Sequence, residues 1–247
     1  MQTSGQYIYA IADNSVKNAF GPIGIQGKEV HVVCSGQIAA VLSDFSEKRL
    51  RPERRNLAAH NAVIKKIMEE ETVLPMAFGT LADDMDHVMT ILKNNESIFR
   101  DELDQVRGKV EMGVRVGVDL PNVFEYYVNK HHELTQLRDR ILTLQHASSQ
   151  LDKIELGRVF ERILNEERER HTSYVKKVLK PYCDDIIENP PRDEREVMHL
   201  ACLIKRENQK KFEEAIFEAA KLFNNDFTFD FNGPWAPHHF ISMNIEA

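Results

Sequence analysis

Apolar residues recur along this chain with two different periods, and the switches between them mark out most of the elements. Residues 7–12 (YIYAIA) and 30–43 (VHVVCSGQIAAVLS) are dense in β-branched, aromatic and small apolar side chains and read as strands. Ser35-Gly36 interrupts the second run. A glycine there supplies the positive φ of a tight turn, so residues 30–43 predict a hairpin. Pro52 and Glu53 introduce a helix reaching about Glu71, with Leu57, Ile64, Ile67 and Met68 on one stripe. VLPMAFGT predicts a short strand, which Pro75 confines to an edge or a bulge because proline cannot donate to a ladder. Asp83 or Asp84 can cap the next helix, and residues 93–107 read as helix with a break, ending at Gly108.

From Lys109 the alternation is strictest: Val110, Met112, Val114, Val116 and Val118 fall on one face of a strand. Asp119 is a candidate helix cap with Pro121 in the first turn, where a missing N–H costs nothing. Leu134, Leu137, Ile141 and Leu144 have the spacing of a coiled-coil seam, and a turn at residues 146–149 would reverse the chain. The return helix carries Leu156, Val159, Phe160, Ile163 and Leu164, then the polar NEERERHTS, then Tyr174, Val175, Val178 and Leu179, so part of it must be solvated. A weak strand at Ile186-Ile187 follows, then a Pro190-Pro191 turn and a strand with Met198, Leu200, Cys202 and Ile204 on one face. Phe212, Ala215, Ile216, Ala219, Ala220 and Phe223 make an unambiguous amphipathic helix. The order from residue 109 is β-α-β-β-α-β, the ferredoxin-like split order with an enlarged helical crossover. The expected fold is therefore α+β in two domains: residues 1–108, and a ferredoxin-like domain at 109–247 with a helical hairpin at about 120–183.

The last strand runs into the densest aromatic segment, FTFDFNGPWAPHHF at residues 227–240. Phe227, Phe229 and Phe231 alternate with Thr228, Asp230 and Asn232, so a strand puts three rings on one face. Their internal destination would be Phe212, Ile216 and Phe223. Gly233 and Pro234 then predict a stop or a sharp turn, and Trp235 reads as a plug closing the sheet, with a binding anchor as the other role for an indole there.

Composition narrows the function. With 42% hydrophobic and 29% charged residues the chain is globular, and a net charge of −7 argues against a nucleic-acid footprint and against adhesion to anionic membranes. The basic pairs Lys48-Arg49 and Arg54-Arg55 read as a solvated helix approach. Cys34, Cys183 and Cys202 lack metal-ligand spacing and suit free thiols in a reducing compartment. Neither a membrane-length apolar run nor a signal-peptide pattern is present, so a cytoplasmic location is expected.

Catalytic and cofactor motifs do not assemble. Gly21, Gly24, Gly27 and Lys28 imitate a phosphate loop, but Pro22 and Glu29 stand at required positions and a strand follows, which leaves a flexible loop. His131-His132-Glu133 resembles a zinc-protease helix, yet Gln136 occupies the place of the second histidine, which leaves a solvated helix face. His238 and His239 are adjacent on an extended segment and would point apart. No metal, cofactor or catalytic group is expected.

Five segments together resemble the gas vesicle protein F/L family (GvpF/GvpL). They are YIYAI at 7–11, GIQGKEVHVVCSGQIAAVLSDF at 24–45, HNAVIKKIMEEETVLPMAFGTL at 60–81, MGVRV at 112–116 and FNGPWAPHHF at 231–240. VLP-x-x-FGT and GPW are the most specific, because generic sheet or helix patterning demands neither. They single out Phe78, Phe231, Pro234 and Trp235 as candidate partner-binding or structural residues. The resemblance implies a non-enzymatic accessory or minor structural protein in gas vesicle assembly. It implies contact with the principal hydrophobic shell protein (GvpA), and with other gas vesicle proteins, and a place on the inner, gas-facing side of the shell or at its growing end. A competing function, a cytosolic small-molecule-binding protein or enzyme using an interdomain cleft, rests on the glycine-rich loop and the scattered histidines. A third, a coiled-coil adaptor, rests on the hairpin at 134–180.

Overall fold

In the computed structural model, which describes residues 5–17, 19–47, 50–143 and 150–246, the first apolar run becomes strand β1 (Gly5–Asp13). Residues 7–12 are all buried, so this strand fills the core from both of its faces. After β1 come β2 (Ala19–Gly21), β3 (Val30–Ser35), β4 (Ile38–Phe45), α1 (Arg54–Met68), β5 (Val73–Pro75), β6 (Leu81–Ala82), α2 (Met85–Asn94) and α3 (Glu96–Val106). The sheet order is β2-β3-β4-β1-β5, with β6 also paired to β1. The β3–β4 hairpin turns at Gly36, whose φ of 58° is left-handed, and β4 pairs antiparallel with β1 from Gly5↔Phe45 to Asp13↔Ile38. Pro75 ends the edge strand β5 opposite Ala10.

Helix α1 buries Asn56, His60, Val63, Ile64, Ile67 and Met68. Its inward stripe passes through Asn56 and His60 and leaves Leu57 exposed, contrary to the expected stripe. Asp84 caps α2 by accepting from the His87 N–H at 2.8 Å, and Asn95 is the break between α2 and α3. The glycine-rich segment is tied down and is not the flexible loop its composition suggests. The Tyr9 hydroxyl accepts from the Ile25 N–H at 2.8 Å, and a Cβ at Gly24 would lie 2.7 Å from that hydroxyl.

The remaining elements are β7 (Lys109–Val118), α4 (Val123–Lys130), α5 (His132–Thr143), α6 (Gln150–Leu179), β8 (Asp185–Asn189), β9 (Glu196–Lys205), α7 (Gln209–Ala220) and β10 (Phe227–Trp235). They give an α+β protein whose second sheet has the order β10-β7-β9-β8. Asn122, not Asp119, caps α4 by accepting from the Glu125 N–H at 3.0 Å, which leaves Pro121 outside the helix. The Asp119 N–H instead donates to the Asp226 carbonyl at 2.8 Å. Strand β9 is buried along Val197–Met198 and from Leu200 to Ile204, on both faces and not one.

Val123, Tyr127 and Val128 of α4 form a core with Leu134, Ile163 and Leu164 at the root of the helical hairpin. Of the expected seam only Leu134 is buried; Leu137 and Ile141 are half-buried. Leu144, the expected turn at 146–149 and Lys48-Arg49 lie outside the described residues.

The chain divides into two units, Met1–Glu111 with Gly233–Ala247, and Met112–Asn232. The segment after Asn232 therefore belongs with the first sheet.

Candidate interaction surface

Strand β10 is the outermost strand of its sheet, and that position decides the exposure of its rings. Phe227 and Phe229 are half-buried against Phe223, with ring centroids 5.1 and 4.9 Å apart. Phe231 does not share that destination. It is 37% exposed and meets Phe217 of α7 at 6.3 Å, and Phe217 is itself 62% exposed. The strand also continues where a stop was expected, through Gly233 (φ 126°) and a cis Gly233–Pro234 peptide to Trp235. Pro234 is half-buried, and Trp235 is 45% exposed. The indole is thus not a buried plug, because it stands at the end of an edge strand.

Phe78 has a different setting. It is half-buried and lies edge-on to His60 (5.7 Å) and Tyr7 (6.3 Å). Beneath it the Tyr7 hydroxyl meets His60 Nδ1 at 2.9 Å and accepts from the Gly79 N–H at 3.1 Å. Tyr9 stacks on His60 and meets Ser43 Oγ at 2.9 Å. Burial, and secondarily the neighbouring His238, push His60 down to about 4, while burial pushes Tyr7 up to about 12. Both are therefore neutral at pH 7, and the cluster is a packed hydrogen-bonded core in which Phe78 forms the lid.

Of the two adjacent histidines, His239 is tied to Glu111. His239 Nδ1 lies 2.7 Å from Glu111 Oε1, and the His239 N–H donates to Glu111 Oε2 at 2.9 Å. Among the described residues no group of three or more His, Cys, Asp or Glu side chains could hold a metal. A shallow depression of about 240 Å³ beside Asn165, Thr172 and His199 is walled by Arg168. That guanidinium is committed to the β8–β9 connection, donating to the carbonyls of Asp193 (2.6 Å) and Glu196 (3.1 Å).

Sequence reasoning missed Glu167, which it counted among solvated residues. Its carboxylate is only 6% exposed and pairs with Lys130 (3.2 Å) and Arg170, with His171 at 3.4 Å and His131 at 3.7 Å. Burial raises the affinity of Glu167 for a proton, but Lys130, Arg170 and His171 outweigh it and hold the carboxyl below its usual range. His131 stacks on Tyr127 at the junction of α4 and α5, so it is not on the solvated face expected. A signal did exist: Glu167 is four residues after Ile163 and three after Leu164, inside the apolar stripe.

Comparison with known proteins matches residues 5–242 to the family model described as gas vesicle synthesis protein GvpL/GvpF. The chain belongs to the GvpL/GvpF family. It is 24% identical over 244 residues to gas vesicle protein F of Nostoc sp., covering 98% of this chain and 99% of that one. It is 27% identical over 241 residues to gas vesicle protein F of Streptomyces sp., covering 95% and 98%. The crystal structure of gas vesicle protein GvpF from Anabaena sp. superposes with a TM-score of 0.87 at 24% identity, over 98% of this chain and 100% of that one. GvpF from Microcystis aeruginosa gives 0.84 at 19% identity over the same shares. These likenesses establish the fold, and the family establishes a gas vesicle-related role. The family's name describes synthesis of the vesicle and no catalytic activity.

Proposed function

We propose that this protein acts in gas vesicle assembly by holding the principal hydrophobic shell protein (GvpA) against exposed apolar side chains. The observation that carries the reading is the GvpL/GvpF match along residues 5–242. A protein that handles an aggregation-prone subunit needs apolar surface of its own. Leu142 (64% exposed), Leu151 (75%) and Ile154 (43%) supply it on the distal parts of α5 and α6. Arg140 pairs with Glu155 at 2.8 Å and with Asp152 at 3.6 Å, and Arg162 with Glu133 at 2.6 Å, so ion pairs along the hairpin fasten the helices together while these side chains face outward. Trp235 and Phe231 offer a second apolar contact. The role is non-enzymatic, and its place is the gas-facing side of the shell.

Crosslinking to the shell protein, mapped to residues, tests this. Crosslinks are expected at Lys153. Replacing Leu151 and Ile154 by serine is expected to weaken shell-protein binding on the order of tenfold while leaving thermal unfolding within about 0.5 kcal/mol. Crosslinks confined to other elements would move the contact away from the hairpin. A deletion strain that still builds normal vesicles would overturn the function itself.

A further inference from the structure

Among the described residues, four basic side chains face one carboxylate at the root of the helical hairpin. Glu167 of α6 is 6% exposed and pairs with Lys130 from the end of α4 and with Arg170 one turn along its own helix. His131, at the α4–α5 junction, and His171, four residues after Glu167, also turn Nε2 toward it, from 3.7 and 3.4 Å. Those distances are too long for good hydrogen bonds. Both Nε2 atoms are nevertheless buried, and neither has a hydrogen-bond partner among the described residues. Buried polar atoms are almost always paired, so two unpaired imidazole nitrogens against one buried carboxylate call for a reason.

His171 has the more confined setting. From the α7–β10 connection Phe223 and Phe227 close on its ring, with centroids 4.8 and 5.2 Å away, and they bring no charge. From α4 come Lys130 and Tyr127, whose hydroxyl burial keeps neutral up to about 12. Lys130 and Arg170 already outnumber Glu167, so a proton on His171 adds a second uncompensated positive charge to a site largely shielded from water. Burial pushes the His171 imidazole below its usual 6.5; Glu167 opposes that shift, and Arg170 and Lys130 add to it. Burial would raise the Glu167 carboxyl, but Lys130 and Arg170 outweigh it and hold the group below its ordinary range, so it stays ionised in mildly acidic solution.

We propose that this cluster is an acid-sensitive latch: protonation of His171 frees α4 and α5 from α6 and lets the hairpin loosen at its root. When α4 and α5 separate from α6, Lys130 leaves and water reaches Glu167 and His171, so the open form takes up a proton at the ordinary histidine value. The closed form prefers the neutral ring. Closure is therefore complete above about 6.5 and is lost as pH falls below it toward the depressed value of the closed form. The latch governs the mobility of the hairpin and is separate from what the hairpin binds.

Hydrogen exchange of the purified full chain near pH 7.5 and near pH 5.5, corrected for intrinsic exchange rates, tests the latch. Protection of the α4 and α5 amides is expected to fall by about three- to tenfold at the lower pH, the range open to one histidine. His171→Gln, with circular dichroism to verify its folding, should largely abolish that fall. An NMR titration of the wild-type His171 ring decides independently of any variant, and its midpoint is expected below 6.5. A midpoint at or above 6.5 would overturn the proposal. So would unchanged protection of α4 and α5, or a fall as large in His171→Gln as in wild type.

Discussion

His60 shows how much a single buried side chain contributes to the behaviour of this protein. Its ring is 3% exposed, bonded to Tyr7, and held at a pKa of about 4 by burial and by His238. The unfolded chain binds a proton near 6.5, so between about 6.5 and 4 the unfolded state holds more protons than the folded one. Stability contributed by this group is complete above 6.5 and falls as pH drops through that window. It levels off below about 4 after a loss of about 3 kcal/mol. Urea unfolding of wild type and His60→Gln at pH 7 and pH 4 should show the wild type losing more stability, by about that amount. Equal losses would mean that His60 is not the proton acceptor. The Tyr7–His60 contact spans 53 positions in sequence, and no local pattern announces it; periodicity placed residue 60 on a helix, but only the β1–α1 packing turns it inward.

At the scale of elements, periodicity recovered those whose apolar faces have a single destination and failed where polar contacts decide. Strand β7 and helix α7 were legible because their buried residues repeat at two and at three-to-four positions, and β1 and β4 because each is a short, nearly continuous apolar run, buried on both faces. The cap of α4 was misplaced, because Asp119 and Asn122 are both competent caps and only the Asp119–Asp226 backbone bond removes the first. Helix α6 concealed its anchor in a run that looks solvated. Glu167 ties it to Lys130 at the end of α4 and to His131 at the α4–α5 junction, so the root of the hairpin depends on a buried charge. Glu167→Ala removes the acceptor and leaves Lys130 and Arg170, which are 40% and 50% exposed and can turn to water. The cost should therefore be moderate, about 2 kcal/mol, read as a lower urea midpoint in circular dichroism at an unchanged slope. A midpoint equal to wild type would show that the α4–α6 packing alone holds the root.

For the whole molecule, the consequential fact is that the residues after Asn232 belong to the same unit as the first sheet. The aromatic segment at 227–240 looked from sequence like the close of the second domain, because a strand pattern shows which residues share a face and not which sheet the following residues join. The structure fastens the tail to the first unit by polar bonds to its backbone. Asn95, fully buried, donates to the Glu246 carbonyl at 2.8 Å and accepts from the Glu246 N–H at 3.0 Å, and it also donates to the Ile91 carbonyl at 2.8 Å. Upstream, Gln105 reaches the Phe240 carbonyl at 3.4 Å, and Glu111 holds His239 by both backbone and ring. Asn95→Ala and removal of residues 241–247 should each destabilise the protein by about 1–3 kcal/mol, the substitution because it removes the hydrogen bonds of Asn95 to Glu246 and Ile91, the truncation because it leaves the buried Asn95 amide without its partners at Glu246. The two changes act on one pair of bonds, so they should not add. In a double-variant cycle measured by urea unfolding, Asn95→Ala in the shortened chain should cost less than in the full chain by about 1 kcal/mol, the remainder reflecting the bond to Ile91. Full additivity would show that Asn95 stabilises only its own helix junction and that the tail is held by Glu111 and Phe240 instead.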